Sequence, residues 1–186
     1  MISLTALWLP ILASAVVVFL ASSVLHMVLK YHYKDYQKLP DEGALQAAMR
    51  EQNLVPGNYA FPCPEDSKDW NSAEMVEKFK QGPVGFMNVK PSGAPAMGKY
   101  LMQWFAFCLV IGIFCAYLAS RTLAAGTDYM AVFRITSCVA FVAYSVSSVS
   151  ESIWKAQNWG TTFRFIVDGL VYSLLTGGVF GWLWPS

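Results

Sequence analysis

The chain has 186 residues, of which 55% are hydrophobic and only 13% are charged, and its mean hydropathy is +0.40. Soluble domains carry about 25% charged residues, so this composition indicates a polytopic membrane protein and excludes a globally disordered chain. The net charge of +1, with no long basic run, argues against nucleic acid as a partner.

Four apolar runs are long enough to form transmembrane helices, each of which needs about 20 mainly apolar residues. The predicted spans are approximately 4–29, 100–120, 129–149 and 163–184. The first run is uncharged, has no basic residue before Lys30 and is too long for a signal peptide, so we interpret it as an uncleaved helix. The sequence therefore predicts an all-α membrane protein, with 1–186 as a single membrane domain in a lipid bilayer.

The basic residues near the span ends predict the orientation, because Lys and Arg accumulate on the cytoplasmic side. Arg121 is the one basic residue in the connection between the second and third spans. Seven basic residues flank the other two connections: Lys30, Lys34, Lys38, Lys90, Lys99, Lys155 and Arg164. We therefore expect both termini outside and the long loop 30–98 in the cytoplasm.

The loop 30–98 contains signals for two short helices. Asp41 is a candidate N-cap for a helix that runs to Gln52, and Asn71 with Glu74 resembles a capping box for a helix that ends at Gln81. Residues 84–89 have the composition of a short strand. The loop is too small and too weakly apolar for a core of its own, so we expect it to pack against the span ends or a partner.

Small residues recur every four positions in two of the predicted spans. Such stripes allow close approach of helix backbones in lipid. One stripe lies in the fourth span and the other in the second: Gly169, Ser173, Gly177 and Gly181, then Gly112, Ala116 and Ser120. We expect the first stripe to pack against the second inside the monomer, with an outward-facing partner surface as the alternative.

Four polar residues near or within the spans are candidates for a polar site, because intramembrane charges are costly and often functional. They are His26, Arg134, Glu151 and Asp168. The topology places Arg134 and Asp168 near opposite ends of their helices, which argues against a mutual ion pair. We expect Asp168 to pair with Arg164 at i,i+4 or with another donor near the span end, and Glu151 to pair with Lys155 at the same spacing.

The residues that metal, haem or redox chemistry would need are few. His26 and His32 both lie at the end of the first span, where interfacial hydrogen bonding is the commoner role for histidine. The four cysteines form no CxxC pair, and three of them lie inside apolar runs. Motifs for nucleotide hydrolysis, zinc proteolysis and hydrolase chemistry are missing from the sequence. We therefore expect neither a cofactor, a metal site nor catalytic residues.

Several strings together resemble a family of small, uncharacterised bacterial inner-membrane proteins with four predicted spans. They are KDYQKLPDE at 34–42, LVPGNYAFP at 54–62, FKQGPVG at 79–85, DYMAVFRI at 128–135, SIWKAQNW at 152–159 and DGLVYSLLTGGVFGWLWP at 168–185. The resemblance covers nearly the whole chain. It implies a multi-pass protein of the bacterial cytoplasmic membrane, and it supplies no catalytic residues because the family has no assigned activity.

Two hypotheses of function follow from these observations. The first is a non-enzymatic accessory or scaffold subunit of a larger membrane complex, which binds a membrane protein or a second copy of itself. The alternative is a small-molecule or lipid-handling protein, a transporter or an enzyme, with a site at the span ends. A polar cavity that reaches two or more of His26, Arg134, Glu151 and Asp168 would favour the alternative.

Overall fold

The computed structural model describes residues 2–186, and these divide into two compact units. One unit combines the residues up to Tyr36 with Ala96–Ser186, and the other is Gln37–Pro95. Residues 2–186 form six helices and two strands, in this order: α1 (Leu4–Val28), α2 (Glu42–Glu51), β1 (Gly57–Phe61), α3 (Ala73–Gln81), β2 (Gly85–Val89), α4 (Met97–Thr122), α5 (Tyr129–Lys155) and α6 (Trp159–Trp182).

The four predicted spans correspond to α1, α4, α5 and α6, which are long and apolar enough to cross a membrane. α4 extends beyond its predicted apolar run at both ends, α5 beyond the end of its run and α6 before the start of its run, because polar residues there continue the backbone hydrogen bonding of the helix. Asp128 caps α5 by accepting from the amides of Met130 and Ala131, and Asn158 caps α6 by accepting from that of Gly160.

The four long helices form a bundle in which α1 packs on α4, α4 on α5, α5 on α6 and α6 on α1. Its interior holds mainly small and medium side chains, with Phe180 as the largest fully buried one. Large apolar side chains such as Leu20, Phe114 and Trp182 remain exposed on the outside of the bundle. Such an apolar exterior around a small-residue core is typical of helices that face lipid.

The glycine stripe of α6 packs against α5, and the predicted pairing with the stripe of α4 is wrong. A Cβ atom added to Gly177 would lie 2.9 Å from the carbonyl oxygen of Phe133, and one added to Gly181 would lie 3.1 Å from that of Tyr129. A small-residue stripe predicts that another helix packs closely but does not identify that helix. In the structure, the short connection between α5 and α6 brings these two helices together. The stripe of α4 faces α1 instead, where a Cβ atom added to Gly112 would lie 3.3 Å from the carbonyl oxygen of Ile11.

Two of the long helices contain a turn of π-helix. One is Val24–Val28 at the end of α1, and the other is Val142–Val146 within α5. Such turns insert a residue into the helical repeat, re-aim the side chains around them and occur often at functional sites. After the first, Lys30 adopts a left-handed conformation with φ 53°, and the chain continues into a 3₁₀ turn over Tyr31–Asp35.

The second unit contains α2, α3 and an antiparallel pair of strands in which Tyr59 lies opposite Met87. The side chain of Asp41 caps α2 by accepting from the amide of Ala44. Ser72, rather than the predicted Asn71, caps α3, because Asn71 is still part of a preceding 3₁₀ turn over Ser67–Asn71. The sequence predicts β2 as a strand but not β1, a five-residue strand between Pro56 and Pro62.

Candidate metal centre

Two histidines and a buried aspartate meet at one end of the bundle. His26 lies in the π turn of α1, His32 in the 3₁₀ turn that follows, and Asp168 on α6. Nε2 of His32 lies 2.8 Å from Oδ2 of Asp168, and Nε2 of His26 lies 3.3 Å from the same oxygen. The two imidazole rings are stacked, with centroids 4.2 Å apart. One ligand atom from each residue lies within 4.8 Å of the other two.

The Asp168 side chain is enclosed and incompletely hydrogen-bonded. It is only 3% exposed, and its Oδ1 has no hydrogen-bond partner among residues 2–186. Nearby on α6 and α5, the hydroxyl groups of Tyr172 and Ser145 are also buried without a partner in this part of the chain. Buried polar atoms are normally satisfied by protein, water or an ion. These unpaired atoms therefore indicate a site that a non-protein partner completes.

A second carboxylate, that of Asp35, fixes the orientation of His32 through the ring nitrogen on the side opposite Asp168. Nδ1 of His32 lies 2.6 Å from Oδ2 of Asp35, and Nε of Arg164 donates to Oδ1 of Asp35 at 2.6 Å. Burial opposes the ionisation of Asp35, but hydrogen bonds from His32, Arg164 and Thr161 outweigh it and hold the pKa of Asp35 below its ordinary value. Asp35 therefore presents a carboxylate that accepts from Nδ1–H, which leaves Nε2 of His32 as the atom that faces Asp168.

The contacts of His32 with Asp35 and Asp168 match those that surround metal-ligating histidines in proteins. Ligating histidines usually donate their second ring N–H to a carboxylate, which fixes the tautomer. Two donors of a tetrahedral zinc ion, each about 2.0–2.2 Å from the metal, lie ~3.3 Å apart. The 3.3 Å separation of His26 Nε2 from Asp168 Oδ2 equals that edge length, whereas the 2.8 Å separation of His32 Nε2 from the same oxygen is shorter and corresponds to a hydrogen bond. Two imidazoles and a carboxylate form a donor set suited to divalent ions such as zinc or ferrous iron.

The four polar residues that the sequence offered as candidates make different contacts in the structure. His26 and Asp168 meet, and Glu151 pairs with Lys155 at 2.8 Å, as the i,i+4 spacing predicted. Asp168 pairs with His26 and His32 near the span end rather than with Arg164, because the guanidinium of Arg164 forms an ion pair with Asp35. Arg134 is exposed on α5 and has no ion-pair partner among residues 2–186.

Arg134 and Asp168 lie apart, as the topology argued. The carbonyl oxygen of Phe133, next to Arg134, lies 2.9 Å from where a Cβ on Gly177 would be, and Gly177 is nine residues along α6 from Asp168. At 1.5 Å per residue this separates the two levels by about 14 Å along the helix axis. The carboxylate and the guanidinium therefore belong to different ends of the bundle.

Sequence reasoning considered His26 and Asp168 separately and did not join them to His32, Asp35 and Arg164. A usable signal was present, because the end of the first span and the start of the fourth fall on the same side of the predicted membrane. That topology already places both histidines on the side of Asp168. Comparison with known protein families, curated proteins and solved structures gives no match to the chain.

Proposed function

We propose that this chain is a multi-pass membrane protein that binds one divalent transition-metal ion through His26, His32 and Asp168. The observation that carries the proposal is the convergence of three ligand atoms from separate elements around a buried carboxylate with an unpaired oxygen. Three protein ligands leave a coordination position open, which is the arrangement of reactive rather than purely structural zinc sites.

The charges around the site also favour a cation. With both histidines neutral, Asp35 and Asp168 contribute two negative charges and Arg164 one positive charge, so the cluster carries a net charge of −1. A buried net charge is costly, and it is neutralised either by a proton on a histidine or by a bound cation. A proton would lie between one imidazole and Oδ2 of Asp168, whereas a metal ion would give this carboxylate a partner that both imidazoles share.

Metal binding is tested by isothermal titration of the purified full-length protein in mild detergent with Zn²⁺. We expect one ion per chain, with a loss of at least 10-fold in affinity for His32→Gln and for Asp168→Asn. Glu151→Gln is the matched control, because Glu151 is also a carboxylate on a long helix but pairs only with Lys155 at the surface. Substoichiometric uptake, or equal affinities in all four proteins, would overturn the proposal in favour of a protonated histidine between two carboxylates.

The distribution of basic residues indicates how the protein is oriented in the membrane. We propose that the protein lies in a bacterial inner membrane with both termini outside and residues 30–98 in the cytoplasm. This orientation is supported by the excess of basic residues beside α1, α4 and α6 at the end that carries the metal centre. The site then lies near the cytoplasmic interface, within reach of cytosolic metal ions.

A second candidate function is that of an accessory subunit or scaffold, and the compact unit Gln37–Pro95 favours it. This unit exposes large apolar side chains, among them Val55, Trp70 and Phe86, and exposed apolar patches often mark protein interaction sites. Deletion of residues 37–95 with a flexible replacement linker would abolish co-purification of a stoichiometric partner if the unit docks one. Retained co-purification would exclude this role for the unit.

A further inference from the structure

A cavity of about 420 Å³ lies next to the metal centre, between the end of α1 and the start of α4. His26 lines this cavity and also belongs to the ligand cluster. The opposite wall is made by Met97, Leu101 and Trp104 of α4, with Met27 at the rim. Met27 and Met97 are more than half exposed, so the cavity opens to the outside of the bundle.

We infer that this cavity binds a single-chain long-chain carboxylate, a fatty acid, with the carboxylate on the metal ion and the hydrocarbon chain between α1 and α4. The inference rests on the metal-binding function proposed above. The ligand would complete the open coordination position beside His26, and it would enter from the lipid side of the bundle.

The lining fits a hydrocarbon chain. Methionine side chains are flexible and adapt to apolar ligands of varied shape. The indole N–H of Trp104 is already used, because it donates to Oγ of Ser22 at 2.8 Å, so the indole ring offers mainly apolar surface to the cavity. Small-molecule pockets of this kind are mostly apolar, with a few polar groups that fix orientation. Here the metal-ligating polar group is His26, at the end nearest Asp168.

The volume favours one chain over two. Taking roughly 30 Å³ per water-sized group, about 420 Å³ holds on the order of 14 such groups. That is the size of most of one fatty-acid chain. A diacyl phospholipid carries twice that amount of hydrocarbon, and its second chain would have to remain outside the cavity.

Charge complementarity selects an anionic headgroup and makes its binding depend on the metal. The cluster of Asp35, Asp168, Arg164 and two neutral histidines carries a net charge of −1, and a divalent ion changes this to +1. An anion is therefore repelled by the metal-free site and attracted by the loaded one. A carboxylate also supplies the hard oxygen donor that zinc and ferrous iron accept.

The test uses a hexadecanoic acid that carries a photoreactive diazirine on its chain and the full-length protein in mild detergent. After irradiation, we expect the label in the peptides around Met27 and 97–104, at least five-fold stronger with Zn²⁺ than with a chelator. Unlabelled hexadecanoate should compete, whereas hexadecanol, which has the same chain and no charge, should not. Leu101→Trp should fill the cavity and reduce labelling at least five-fold without changing zinc affinity. Leu118→Trp, at an exposed position further along α4, is the control.

The outcomes separate this inference from the function on which it rests. If zinc binds normally but Leu101→Trp does not reduce labelling, the fatty-acid site is overturned and the metal site remains. The same holds if the label spreads along the exposed faces of all four helices. Competition by hexadecanol as strong as that by hexadecanoate overturns the role of the carboxylate. Competition by dodecyl phosphate but not by hexadecanoate would assign the cavity to a phosphate headgroup and also overturn it. Failure of zinc to bind overturns the metal function first.

Discussion

Replacing Gly177 with alanine would force a methyl group against the backbone of α5. The added Cβ would lie 2.9 Å from the carbonyl oxygen of Phe133, closer than real Cβ atoms come to such an atom, and 3.0 Å from Cβ of Ser137, which is tighter than most real Cβ contacts. Rotation of the Ser137 hydroxyl does not relieve either contact, so α5 and α6 must separate. Overpacking of this kind costs about 1–3 kcal/mol, and the loss of close backbone contact adds to it.

Gly178→Ala is the matched control for this substitution. It adds the same methyl group to the same helix, but the nearest neighbouring atom is the Tyr129 hydroxyl at 3.6 Å, an ordinary contact distance. Both variants gain the same helix propensity, so the difference between them isolates helix packing. Thermal unfolding of the two purified proteins in detergent, followed by circular dichroism, measures that difference. Equal midpoints for Gly177→Ala and Gly178→Ala would refute the close α5–α6 contact.

Further predictions follow from the charged groups and from the proposed orientation. Arg164→Gln removes the hydrogen bond and the ion pair to Asp35 and should destabilise the protein by about 1–3 kcal/mol. Arg134→Gln should stay within about 0.5 kcal/mol of the parent in the same unfolding assay, and similar losses for both variants would contradict the pairing of Arg164 with Asp35. Asp35→Asn should weaken zinc binding roughly 10–100-fold by freeing His32, as measured by titration, while an unchanged affinity would remove Asp35 from the supporting shell. With Cys108, Cys115 and Cys138 replaced by serine, exposed Cys63 should react with an impermeant maleimide only in broken cells, and labelling in intact cells would reverse the orientation.

The four long helices could be predicted from the sequence because lipid imposes a simple requirement. A spanning helix must satisfy its backbone internally and present about 20 mainly apolar residues, so α1, α4, α5 and α6 are visible as uninterrupted apolar runs. The helix ends could not be predicted from hydropathy, since polar residues such as those near Lys155 continue the helix beyond the apolar stretch. The two π turns gave no signal in the sequence.

The packing partner of the α6 stripe could not be predicted from residue spacing. Gly169, Gly177 and the stripe of α4 all indicate close helix contact, but the spacing holds no information about which helix is the neighbour. The choice depends on the arrangement of the whole bundle, in which α4 and α6 lie diagonally and α5 lies between them. A small-residue stripe therefore predicts contact and not its partner.

The proposed metal centre depends on contacts between residues that are far apart in the chain. His32 and Asp168 are 136 positions apart, and the turn at Lys30 that folds Tyr31–Asp35 back toward α6 has no distinctive sequence signal. Each histidine alone fits an interfacial hydrogen-bonding role. Only their shared approach to a buried carboxylate distinguishes a ligand cluster from two isolated polar side chains.

X-ray absorption at the zinc edge of the metal-loaded, full-length protein tests the central claim most directly. The account predicts a first shell of nitrogen and oxygen atoms at about 2.0–2.2 Å, with the outer-shell pattern of two imidazole rings. This signal should be lost in Asp168→Asn and retained in Glu151→Gln. A shell of sulfur atoms at about 2.3 Å would mean that cysteines hold the ion, and it would contradict the assignment to His26, His32 and Asp168.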